Sequence, residues 1–327
     1  MTSMYSQRVA IKPWRESPYP GLLAVVGIGC VGWHLTAVLI QLVIFQPTSL
    51  SAHGCGLLGH LTACLLIACL YYQRQSAHGL TEYFCLQPLP GPARRCLPSL
   101  CLHFFLLTFA LRELFLQTLL LTGIPYESLS GPPSDYDWFH PISIVGTVFT
   151  APFGEELIFR ALFLQGLLVR FSRTRSIVLT ALLFGIFHWN FHQALSGFIT
   201  GIFLGRMFVD TRSLWVPITM HGIHNSLLLV LVLLIDQIET WGGSLPSPLV
   251  TAFGDDGWLP AVLVRYAFFL AIATLSWLRF KASHRNLLLA LSAAHPSPPR
   301  PTIPPVPRTF DLREFKVRRP ARRPDTL

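Results

Sequence analysis

Charge is scarce in this chain. Of its 327 residues only 13% are Asp, Glu, Lys or Arg, against 52% that are hydrophobic, whereas soluble domains carry roughly 25% charge. With a mean hydropathy of +0.50, that scarcity excludes an ordinary water-soluble domain and points to a membrane-spanning chain. Several chemical signatures are missing too. There is no CxxC for a thiol redox pair and no HExxH for a zinc-protease helix. No GxSxG offers a serine nucleophile. The cysteines Cys30, Cys55, Cys64, Cys69, Cys85, Cys96 and Cys101 fall mostly inside or at the ends of apolar runs. They read as small apolar fillers, not as a disulfide frame. The first apolar run lacks a small-residue cleavage site beside a short core, so it reads as an anchor.

What is present is a series of apolar stretches near residues 21–46, 55–73, 98–123, 141–169, 176–191, 194–209, 213–236 and 258–280. The expected fold is all-α, a polytopic membrane helix bundle of about eight transmembrane helices. Only Phe191, His192 and Gln193 separate the fifth stretch from the sixth, which predicts a tight helical hairpin there. Basic residues fix the orientation. Of the 25 Lys and Arg, Arg112, Arg160 and Arg265 lie within spans. The others, from Arg8 to the tail, share one side, while Glu127, Asp135, Asp137, Glu239, Asp255 and Asp256 occupy the opposite loops. Both termini are therefore expected to be cytoplasmic. The net charge of +9 is accounted for by this arginine, with anionic lipid at the cytoplasmic face as its partner and no nucleic acid.

Three regions follow. Residues 1–20 form a cytoplasmic arm, 21–282 the transmembrane domain, and 283–327 a Pro- and Arg-rich disordered cytoplasmic tail. Gly197, Gly201 and Gly205 form a small-xxx-small series suited to close helix packing.

The chemistry lies in the few polar groups of the fourth to seventh spans. An ionisable group at mid-membrane costs roughly 2.5–3.5 kcal/mol by insertion scales, so it is kept where it faces a cavity or a partner. Glu156 and Arg160 are four apart and share a helix face, while Glu155 points about 100° away. His188 follows in the fifth span. His221 and Asn225 share a face of the seventh, with His224 on a neighbouring face. Counted from the inner span ends at 1.5 Å per residue, Glu155, His188 and Asn225 lie roughly 18–22 Å deep and His221 roughly 12 Å. A carboxylate and an imidazole can together deprotonate water. Imidazole and amide donors can hold a tetrahedral oxyanion. Such a set would hydrolyse an amide with a water nucleophile. Two other readings use the same residues: a zinc site built from Glu and His, and a non-catalytic immunity or scaffold protein in which the polar groups clasp helices together.

The motifs EExxxR (Glu155, Glu156, Arg160), FxxxH (Phe184, His188) and HxxxN (His221, Asn225), in this order across residues 140–236, resemble those of the CPBP family. That family includes type II CAAX prenyl endopeptidases and bacterial bacteriocin-processing and self-immunity proteins. The resemblance implies an eight-helix intramembrane glutamate-dependent endopeptidase acting on a membrane-associated peptide or protein. It implies that Glu155 and His188 activate water and that His221 and Asn225 form the oxyanion hole. Glu156 would assist, Arg160 would hold the carboxylates and Phe184 would line the site. No cofactor is implied by this mechanism, although older descriptions of the family as metalloproteases keep zinc open. The arginine- and proline-rich composition resembles that of a high-GC bacterium, which points to a bacterial plasma membrane; in a eukaryote the ER membrane would apply.

Overall fold

The computed structural model describes residues 81, 84–122, 144–188, 191–242 and 258–294. The described residues are helical, with no strand among them. A short helix α1 (Gly91–Arg94) leads into α2 (Leu97–Leu121). A continuous helical rod, α3, covers 146–170. Then come α4 (Arg173–Ile186), α5 (Phe191–Thr211), α6 (Trp215–Gly242) and α7 (Trp258–Ala294). The expected spans at 21–46 and 55–73, the arm 1–20 and the proline-rich part of the tail lie outside the described residues.

Proline placement explains several helix starts. Pro98, Pro217 and Pro260 each sit in the first turn of α2, α6 and α7. A first-turn N–H has no intrahelical acceptor, so its absence there costs nothing. At the end of α5, Arg212 takes φ 53°, the left-handed conformation that turns the chain into α6.

Among the described residues, three stretches are long and apolar enough to cross a membrane: Gly91–Leu119, Trp215–Val232 and Leu259–Ala294. Helix α7 packs along α2, and α4 along α5. One core joins α3, α4 and α5 through Phe159, Phe163, Phe184 and Phe208. A second joins α2, α5, α6 and α7 through Phe104, Leu204, Met220 and Phe280. Meanwhile Leu182, Phe268, Leu275 and Leu278 are exposed. Such large outward apolar side chains suit contact with lipid in a membrane protein.

Two boundaries differ from expectation. Phe191, His192 and Gln193 are not the turn of the hairpin but lie in the first turn of α5; α4 ends earlier, at Ile186. His192 belongs inside because Arg112 of α2 meets it, Nη2 lying 3.2 Å from Nδ1. The stretch from Ser283 is likewise not all tail, since α7 continues to Ala294. Its Leu- and Ala-rich run favours helix.

Candidate active site

The rod α3 carries the carboxylates, and its backbone is irregular on both sides of them. A π-helical turn, Gly146–Thr150, precedes the α segment Ala151–Glu156, and a longer π-helical stretch, Leu157–Leu164, follows it. Part of the reason is Pro152, which has no N–H to donate to the carbonyl of Val148. That carbonyl lies against α6 at Gly222, where a Cβ would stand 2.9 Å from it. Beside it, Asn225 Nδ2 donates to the carbonyl oxygen of Thr147 at 2.9 Å. Gly222 and Asn225 thus hold the wide turn onto α6. Neither Gly222 nor Thr147 stood out in the sequence; the HGIHN run containing Gly222 was the available signal.

The two glutamates are treated differently by the fold. Glu156 is fully buried and held from two sides. Arg160 Nε stands 3.0 Å from Oε2, both side chains being 0% exposed. His221 Nδ1 donates to Oε1 at 2.9 Å. The opposite ring nitrogen, Nε2, faces Glu155 Oε2 at 3.9 Å. Glu155 keeps 12% of its side chain exposed. One imidazole therefore bridges a sealed carboxylate and an accessible one.

Phe184 is the hub. Its ring meets the His188 ring at 5.0 Å and the His221 ring at 5.7 Å, both edge to face. The Arg160 guanidinium lies over it at 4.5 Å, a cation–π contact strengthened by the absence of water. None of the guanidinium nitrogens of Arg160 has a hydrogen-bond partner among the described residues, so it holds Glu156 Oε2 as an ion pair. His188 is half-buried, and its Nδ1 lies 2.8 Å from the carbonyl of Phe184. A carbonyl only accepts, so Nδ1 carries a proton, and in the neutral ring Nε2 presents a lone pair.

Against α4 runs the glycine stripe of α5. A Cβ at Gly197 would stand 3.2 Å from His188 Nδ1, and one at Gly201 would stand 3.0 Å from Ala181 Cα. The stripe thus does more than pack helices; its first member touches the imidazole. His224 is buried elsewhere, between Phe104 and Phe105, with Nδ1 3.4 Å from Thr108 Oγ1. Glu155, Glu156, Arg160, Phe184, His188 and His221 form one contiguous cluster. Asn225 sits one turn along α6 and bonds to α3.

Residues 137–227 match the Rce1-like family. Its description is type II CAAX prenyl endopeptidase Rce1-like, and it agrees with the resemblance carried by the three motifs. No curated protein and no solved structure matches the chain. Every residue of the cluster falls within the Rce1-like segment, as do Thr147 and Gly222. Among the described residues no three His, Cys, Asp or Glu side chains group so as to hold a metal ion.

Proposed function

We propose that the chain is an intramembrane glutamate-dependent endopeptidase. The observation that carries the reading is the asymmetry of the glutamate pair. Glu156 is sealed between Arg160 and His221. Glu155, half-buried at the rim, is the carboxylate that water can reach.

In this mechanism Glu155 and the Nε2 lone pair of His188 orient one water, and Glu155 takes its proton. The water oxygen bonds to the substrate carbonyl carbon. Negative charge then develops on the carbonyl oxygen. His221, its Nδ1–H held by Glu156, donates from Nε2–H to that oxyanion. An amide nitrogen carries two N–H bonds. Asn225 donates one to Thr147 and offers the other to the oxyanion. When the C–N bond breaks, the amine leaves with the proton held by Glu155. The second proton of the water also passes to the amine, so the products are a carboxylate and an ammonium, with no covalent enzyme intermediate.

The Rce1-like match and the apolar setting support a membrane-associated peptide or protein, cut near its C-terminus, as the substrate class, with CAAX-type peptides as the first to try. The proposed architecture is eight spans with both termini cytoplasmic, in a bacterial plasma membrane. A scaffold would need the sealed part of the cluster, Glu156, Arg160 and His221. It has no use for an accessible second carboxylate beside an imidazole. The test is comparative peptidomics of membranes containing wild-type or Glu155→Ala protein. Uncut precursors should accumulate with the variant; identical peptide sets at equal protein levels would overturn the reading.

A further inference from the structure

At the opposite end of the α4–α5 hairpin from His188 lies a cavity of about 250 Å³, lined by Arg173, Thr174, Ile177, Val178, Ile202 and Arg206. We propose that it is a binding site for a phosphate group, carried by the headgroup of an anionic lipid.

The layering of the cavity supports this. Arg173 and Ile177 are one turn apart on α4, as are Arg206 and Ile202 on α5. Antiparallel packing of the two helices places two guanidiniums in one layer and two isoleucines in the next. A guanidinium pair with a threonine hydroxyl matches phosphate oxygens by charge and by donor geometry. The isoleucine layer matches the start of an acyl chain. Beyond the cavity, Val178, Leu182 and Ile186 are exposed at four-residue spacing along α4. They continue the apolar wall across the depth of a bilayer leaflet.

The electrostatics leave positive charge to spare. Asp210 is the acid of this cluster: it pairs with Arg173, lies 3.1 Å from His284 Nε2 of α7, and lies 3.6 Å from Arg206 Nε. One carboxylate thus faces two guanidiniums. Arg206 remains 56% exposed and Arg173 46%, so both can turn to a further anion. The first turn of α4 has no side-chain cap either, its Ser172 side chain making no such bond. The positive-inside reading puts this end at the cytoplasmic surface, where anionic lipid is enriched.

The experiment uses the full chain in detergent, titrated with phosphatidylglycerol or phosphatidylcholine of matched acyl chains and read by native mass spectrometry. Wild type should retain phosphatidylglycerol preferentially. Arg206→Ala should weaken retention about fivefold, the effect of one basic side chain near an anionic surface. Val178→Trp should weaken it as well, by filling the cavity without changing charge. Arg285→Ala removes the same charge from an exposed position on α7 and should leave retention unchanged. Inorganic phosphate forms a separate arm. Lipid retention that millimolar phosphate does not displace assigns the site to a headgroup. Thermal stabilisation by phosphate alone, lost in Arg206→Ala, assigns it to a soluble phosphate. Equal weakening by Arg206→Ala and Arg285→Ala would overturn the site in favour of diffuse attraction, and so would no weakening in either.

Discussion

The glycine stripe of α5 separates packing from catalysis within a single helix face. In Gly205→Ala the new Cβ meets Ile177 at 3.4 Å, an ordinary contact. Alanine also gains about 0.5–1 kcal/mol of helix propensity over glycine. That variant should melt at or slightly above wild type and keep its turnover. In Gly201→Ala the Cβ meets Ala181 Cα at 3.0 Å and its Cβ at 3.1 Å. Backbone cannot swing aside as a side chain can, so α4 and α5 must separate. The overlap costs about 1–3 kcal/mol, and propensity returns less than half of the upper figure. This variant should melt lower. In Gly197→Ala the Cβ meets His188 Nδ1 at 3.2 Å, its Cε1 at 3.3 Å and Gly185 Cα at 3.3 Å. The imidazole can give by a few tenths of an ångström and the approach to Gly185 Cα is milder than the overlap at Gly201, so stability should fall less than in Gly201→Ala. A misplacement of about 1 Å at a reacting group can cost about 100-fold in rate; a few tenths should cost about tenfold. Thermal melts in detergent, beside initial rates on a prenylated CAAX peptide, would read both quantities. Wild-type turnover in Gly197→Ala, with a wild-type melt in Gly201→Ala, would refute the assignment of the stripe.

Two further outcomes follow from buried charge. Arg160→Met should abolish cleavage and also destabilise the fold. It strips Glu156 of its cation while His221 keeps one oxygen partnered, so the loss should be about 3 kcal/mol, the low end for breaking a buried pair. A wild-type melting temperature for Arg160→Met would contradict the sealed-carboxylate description. At the Arg173 end, burial pushes the Asp210 carboxyl up, but the neighbouring His284 imidazole and the Arg173 guanidinium outweigh it and hold it below the usual aspartate range. A depressed carboxyl contributes stability that is complete above its unfolded value and disappears as pH falls through the lower folded one. The Asp210 contribution should therefore persist from neutral pH down to the ordinary aspartate range and vanish only beneath it. Asp210→Asn should lower the melt at neutral pH and remove that acid step; a step of unchanged size in Asp210→Asn would contradict it.

Sequence made the chemistry more legible than the boundaries. Charge in an apolar run is expensive wherever it occurs, so Glu155, Glu156 and Arg160 stood out without coordinates. Four-residue spacing paired Glu156 with Arg160, and the structure holds them 3.0 Å apart. The same rule grouped His221 with Asn225. It did not reveal that His221 reaches across to both glutamates, because that contact joins α6 to α3. His192 shows the opposite failure. Two polar residues between apolar runs look like a turn when the partner, Arg112, lies 80 positions away. The π-helical stretches were invisible because hydrophobic period alone does not distinguish a wide turn from an ordinary one. Pro152 marked the spot only in hindsight. The helical part of 283–294 was hidden in the sequence by the prolines after it, which read as the start of a tail.

The division of labour between the two carboxylates is the central claim, and Glu155→Gln tests it most directly. The change is nearly isosteric and leaves the Glu156, Arg160 and His221 contacts in place. Measured as cleavage of a prenylated CAAX peptide alongside a thermal melt, the variant should keep a wild-type melting temperature and lose turnover by about 100-fold or more, as expected for removal of a general base. Full turnover in folded Glu155→Gln protein would contradict the account.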